Sequence, residues 1–216
     1  MKEIMKIKFL LIIAFFLTAT LGFGQNQKEA TKVLKKIKKI EQVEKYKKKK
    51  KHSDWKIQQV KTMGIDSVKY PKAVNSEIGE IFTNSYDNGK ISVLFKVLSR
   101  KNVELSKVQY IFFDGSKMNK SEIDSTRTVI LNKYTKGTDF TTLVKEYTMD
   151  GNPTGDLPWF HEGMMVKEFE EAVMPRQKGE IFTSDVDSRK WYYVVLKTHD
   201  NIITSLTELV GIQYGM

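Results

Sequence analysis

Apolar residues along this chain fall into two repeating patterns, and the switches between them mark out its elements. Phe9 to Leu21 is an almost unbroken apolar run, shorter than the roughly 20 residues a spanning helix needs. From 28 to 47 the period is helical: Ala30, Val33, Leu34, Ile37, Ile40 and Val43 recur at steps of three and four, with Lys and Glu between them. That spacing predicts one amphipathic helix. Trp55, Ile57 and Val60 then suggest a short strand, and Met63 to Asp66 a turn. Alternation returns at Ile91, Val93, Phe95 and Val97, and again at Val108, Tyr110 and Phe112, where Ile111 and Phe113 make the other face apolar too. Asn119 or Ser121 can cap a helix running to Lys136, with Ile123, Val129, Ile130 and Tyr134 as its stripe. Gly137 stops it, and Asp139 caps the next helix, which turns Phe140, Leu143, Val144 and Tyr147 inward. A loop rich in Gly, Pro, Asp and Asn fills 148–160, and a short helix near Val166–Val173 and a strand at Trp191–Thr198 follow. With no sustained strand–helix alternation, the pattern predicts an antiparallel α+β domain.

Within this order the chain echoes itself. Gly79-Glu80-Ile81-Phe82-Thr83 returns as Gly179-Glu180-Ile181-Phe182-Thr183, with an Asp five residues beyond each Phe, Lys90 matched by Lys190, and an apolar strand after each. Before the two turns stand VKYPKAV and VKEFEEAV. Several features in one order predict a duplicated unit of helix, Gly-started turn and hairpin, reduced in its first copy. The expected division is a leader over 1–24, a Lys-rich amphipathic helix over 25–53, a partial repeat over 54–103, a fuller module over 104–201 and a tail over 202–216. The tail is left open as extra strand or loose end.

Charge and composition narrow the chemistry. Lys2, Lys6 and Lys8 precede the apolar run, and Gly22 and Gly24 follow it, the layout of a secretory signal cleaved after Gly24. The expected location is therefore a bacterial periplasm or the cell exterior. The chain has no Cys, which removes disulfides, thiol nucleophiles and thiolate metal sites. The net charge is +10. Three Lys and one Glu in the leader account for +2 of it, leaving +8, much of it at Lys45 and Lys47–Lys51. Such a run reads first as a solvated helix end or joint, with contact to an anionic membrane surface or acidic clients as the alternative. An exported chain without a recognisable binding motif is not expected to bind nucleic acid. His52, His161 and His199 are scattered without ligand spacing, so neither a metal nor a cofactor is expected.

Between Tyr147 and Phe182 stand the blocks Tyr147-Thr148-Met149-Asp150, Gly155-Asp156-Leu157-Pro158-Trp159-Phe160, Gly163-Met164-Met165-Val166-Lys167-Glu168-Phe169, Ala172, and Gly179-Glu180-Ile181. In their order and spacing this stretch resembles the parvulin family of peptidyl-prolyl isomerases. The resemblance implies an antiparallel four-stranded sheet with helices, no cofactor, and unfolded or extended proline-containing polypeptides as partners. It implies that Leu157, Met165 and Phe169 bind the proline ring and that Asp150 lies beside the twisting imide. Met165 and Phe169, four apart, would share one face of a helix, where ordinary core packing is the competing explanation. The family's paired histidines fall at Tyr110 and Tyr193, which are taken as catalytic positions with Asp150. Pro158 replaces a favoured Gly and stiffens the loop. The expected activity is weak to moderate prolyl isomerisation of exported proteins, the effect of the two Tyr replacements being left open. The alternative is a chaperone-like client-binding module on the same scaffold, and a structural subunit docking through the first helix is a third reading.

Overall fold

The computed structural model describes residues 27–48, 55–68, 70–88 and 91–215. The leader with its cleavage point, the Lys49–Lys51 end of the basic run, the restart at Ser53 or Asp54, and Lys90 of the echo lie outside them. Helices α1 (Gln27–Lys36) and α2 (Val43–Lys47) come first, followed by β1 (Lys56–Met63), α3 (Pro71–Asn75), β2 (Ile81–Tyr86) and β3 (Ile91–Asp114). Then come α4 (Lys120–Thr135), α5 (Phe140–Tyr147), α6 (Lys167–Val173), β4 (Ile181–Val186) and β5 (Trp191–Gly215). The fold is α+β with an antiparallel sheet. The chain divides into two compact units: one spans Glu104–Ile203, and the other takes the described residues up to Val103 and from Thr204 onward.

In the first unit the strand order is β1-β5-β3-β2. Residues 202–215 are strand, and Lys56 to Met63 pair with Gln213 to Leu206. Ala30, Val33, Leu34, Ile37 and Val43 pack on Ile57, Leu94, Val210 and Ile212. Ala73, Phe82, Val93, Phe95, Val97 and Leu209 form a separate cluster, and the alternation along β3 divides it from the first.

The single helix expected over 28–47 is broken. Lys39 is extended at φ −139°, and a short 3₁₀ turn at Ile40–Gln42 separates α1 from α2. The reason is tertiary. Buried Lys96 donates from Nζ to the Leu34 and Ile37 carbonyls at 3.0 and 2.7 Å, oxygens that a continuous helix would give to its own amides. Gln42 Oε1 accepts the Lys38 N–H at 2.6 Å and holds the break.

In the second unit β5 lies between β3 and β4. The segment 155–160 joins the edge of β3 through isolated bridges, Ser106 with Phe160 and Gln109 with Asp156, so the sheet has three regular strands and a bridged fourth edge. Alternation sorts its faces. Ile111, Phe113, Tyr192 and Val194 pack with α4 and α5 residues Ile123, Ile130, Phe140, Leu143 and Val144. Val108, Tyr110, Phe112, Tyr193 and Val195 pack with Leu157, Phe160, Phe169, Val173 and Phe182. Asn119 caps α4 through the Glu122 N–H at 3.0 Å, and Asp139 caps α5 through the Thr142 N–H at 3.0 Å.

Two hairpins, one in each unit, have the same geometry. Ile81 to Tyr86 pair with Lys96 to Ile91, and Ile181 to Val186 pair with Leu196 to Trp191, each pair one hundred positions after its counterpart. The Gly79 N–H donates to Val97 O at 2.9 Å and the Gly179 N–H to Lys197 O at 2.8 Å, with φ of +92° and +90°.

Candidate active site

The second of these faces carries polar groups at one edge of an apolar cluster. Tyr110 on β3 and Tyr193 on β5 meet edge to face, with ring centroids 5.9 Å apart. The Tyr110 hydroxyl donates to Asp150 Oδ2 at 2.6 Å. Asp150 Oδ1 accepts from Thr148 Oγ1 at 3.0 Å and from the Asn152 N–H at 3.1 Å. Three donors thus hold the carboxyl as an acceptor, and they fix its direction. The supporting loop is fixed in turn: Thr148 Oγ1 accepts the Phe112 N–H at 3.2 Å, and the Met149 N–H donates to Phe112 O at 2.9 Å.

Gly155 lets the loop close on β3. Its O accepts the Tyr110 N–H at 2.9 Å, its φ is +66°, and a Cβ there would collide with Tyr110 O. Only glycine combines that backbone angle with so close an approach. Two residues on, the Leu157 N–H donates to Val108 O at 3.0 Å, which sets the Leu157 side chain into the cluster.

Leu157, Phe160 and Phe169 form a buried floor, with Phe169 3% exposed and its ring 5.1 Å from that of Tyr193. Met149, Met164, Met165 and Trp191 are partly buried around it. The site is therefore an apolar cluster, buried at Leu157, Phe160 and Phe169 and reaching solvent at its outer residues, Met165 among them. One expectation needs correcting. Met165 is not on the helix with Phe169: Val166 caps α6, so Met165 stands in the turn before it. The two side chains enter one cluster from different pieces of backbone.

Burial, the hydrogen bond to Asp150 and that group's charge push the Tyr110 phenol above its ordinary 10.0. Burial and the charge of Asp150 do the same to Tyr193. Both phenols stay protonated near neutral pH, so Tyr110 remains a donor to Asp150. The structure brings Asp150, Tyr110, Tyr193, Leu157, Met165 and Phe169 into one neighbourhood, but only Tyr110 is hydrogen-bonded to Asp150. Sequence reasoning missed Thr148, Asn152 and Trp191. The alternation Thr148-x-Asp150-x-Asn152, typical of a side chain bonding its own backbone two residues on, was the available signal for the first two.

The model of the PPIC-type PPIASE domain matches residues 92–200, half of the chain. The chain belongs to that family. A foldase protein PrsA of Geobacillus kaustophilus is 44% identical over 71 residues, covering 32% of this chain and 25% of the relative. The putative peptidyl-prolyl cis-trans isomerase Cbf2 of Campylobacter jejuni is 26% identical over 152 residues, 58% of this chain and 55% of that one. The solved peptidylprolyl isomerase PrsA of Bacillus anthracis aligns with 25% identity and a TM-score of 0.35, covering 45% of this chain and 42% of its own. The chain thus spans a quarter to about half of these relatives. Among the described residues no helix is long and apolar enough to cross a membrane.

Proposed function

We propose that the chain is an exported peptidyl-prolyl cis-trans isomerase that acts on unfolded or extended proline-containing polypeptides through its second unit. What carries this reading is an apolar cluster, part-exposed at Met165, with the Asp150 carboxyl, held by Tyr110, at its edge. The X–Pro barrier of about 18–20 kcal/mol arises from imide resonance, so rotation needs neither a nucleophile nor a cofactor. Leu157, Met165 and Phe169 receive the pyrrolidine ring. Removal from water then disfavours the charge-separated planar imide relative to the twisted one. Asp150 adds a negative group beside the imide and opposes the charge that resonance places on the carbonyl oxygen. Each ~1.4 kcal/mol of such preference for the twisted form is tenfold in rate. The neutral phenols of Tyr110 and Tyr193 take the family's histidine positions without a proton transfer. The leader, cleaved near Gly24, supports export, and Lys45 to Lys51 are read as a solvated joint rather than a membrane contact.

The test is isomerisation kinetics on short X–Pro peptides for the native protein beside Asp150→Ala and Phe169→Ala. Acceleration by the native protein and a loss of about tenfold or more in each variant supports the reading. A native protein no faster than background ends it. A client-holding function is the second reading, favoured by the first unit, where Val93 stands at the place of Tyr193 in the matching hairpin. We read that unit as a reduced copy of the second without its site. Suppression of client aggregation that survives Phe169→Ala would select the holder.

A further inference from the structure

Met165 and Phe169 are tied together by one carboxyl. Glu170 follows Phe169 in α6 and is only 5% exposed. Its Oε1 accepts the Met165 N–H at 2.7 Å, and its Oε2 accepts the Gly163 N–H at 2.9 Å. Burying a carboxyl is costly unless its oxygens are satisfied. Among the described residues Glu170 is satisfied by two amides of one turn, not by a cation. The turn Gly163–Met165 is therefore gripped from the helix that carries Phe169.

We propose that Glu170 is the positioning residue of the proline slot, setting Met165 against Phe169. This rests on the slot being the substrate site. Phe169 is wedged between Phe160 and Tyr193, with ring centroids at 6.2 and 5.1 Å, so it keeps its place without Glu170. Met165 has an unbranched, freely rotating side chain, and its backbone is what Glu170 holds. Releasing the turn lets that wall of the slot drift. The loss falls on the grip of the proline ring, common to ground and transition states, and so on KM more than on kcat. Glu170→Gln keeps one acceptor oxygen but cannot accept the second N–H, so its effect is intermediate.

The experiment measures KM and kcat for an Ala-Leu-Pro-Phe peptide, and the methionine methyl resonances of the free protein, in native, E170Q, E170A and M165A forms. Expected for E170A is a KM raised about tenfold with kcat within about twofold, and about threefold in KM for E170Q. The Met165 methyl signal, assigned by its loss in M165A, should shift and broaden in E170A, while that of Met118 on the other face of the unit stays put. A Met165 signal unmoved in E170A overturns the proposal whatever the kinetics. A KM unchanged in E170A but raised in M165A overturns it and leaves the isomerase reading standing. If the native protein does not accelerate the peptide, that reading fails, and the methyl signals still decide the clamp. Should E170A not fold, E170Q carries both measurements.

Discussion

Hairpins β2–β3 and β4–β5 share a register and are each preceded by a glycine of matching φ, yet only the second borders a candidate site. The difference lies in what the returning strand carries. Ile91, Val93 and Val97 in the first correspond to Trp191, Tyr193 and Lys197 in the second. Val93 is fully buried in an apolar cluster, whereas Tyr193 presents a phenol near Asp150. The helix before each turn differs as well: α3 contributes Ala73 to its cluster, and α6 contributes Phe169 and Val173. The matching strands supply a frame, and the side chains on it differ: an apolar core in the first unit, aromatic and polar groups beside Asp150 in the second.

The largest test of this comparison is a matched pair of truncations. Phe82 stacks on Phe95 at 5.6 Å, and Phe182 lies under Arg176 at 4.7 Å, both nearly buried. Phe82→Ala and Phe182→Ala should each cost about 3–5 kcal/mol, the range for a buried Phe in a core. Amide exchange should locate each loss: Phe182→Ala lowers protection in 104–203 first, and Phe82→Ala in the other unit first. Equal loss in both units from either variant would break the division.

A smaller effect sharpens the contrast at the site. Tyr193→Val gives the second hairpin the residue of the first, and its kcat/KM on X–Pro peptides should fall about tenfold. The melting temperature should drop with a loss of about 1–3 kcal/mol. Unchanged kcat/KM would mean that the phenol is packing alone.

The smallest effect concerns pH. Both phenols sit above their ordinary 10.0, so kcat/KM should stay level from pH 8 to 10. The folded protein keeps these protons after the unfolded chain has begun to release them. Their contribution to stability is therefore complete below about pH 10 and declines above it. Alkaline denaturation should be less steep in Tyr193→Phe, and an equal slope in both proteins would contradict the shift.

Much of the second unit was legible in the residues themselves. Alternation at Val108–Phe113 assigns Tyr110 and Phe112 to one face and Ile111 and Phe113 to the other, as the two clusters have them. Asn119 and Asp139 are caps because short polar side chains reach the free amides of a first helical turn. The break in the first helix was not legible, because its cause is Lys96, far along the chain, taking the Leu34 and Ile37 carbonyls. Placing Met165 on the helix of Phe169 failed for a similar reason. The 163–165 turn is held by Glu170 from within α6, and spacing alone does not distinguish a helical step from a turn gripped by a side chain.

Local rules of the chain determined which residues are apolar on which face and where helices are capped, since these depend on neighbours a few positions away. Tertiary structure alone decided that β3 continues from Ile91 to Asp114, that residues 206–213 pair with β1, and that Asp150 meets Tyr110 across forty positions. The physical reason is that backbone pairing and buried hydrogen bonds draw partners from anywhere in the chain. A residue's periodicity says which way it faces but not what it will meet.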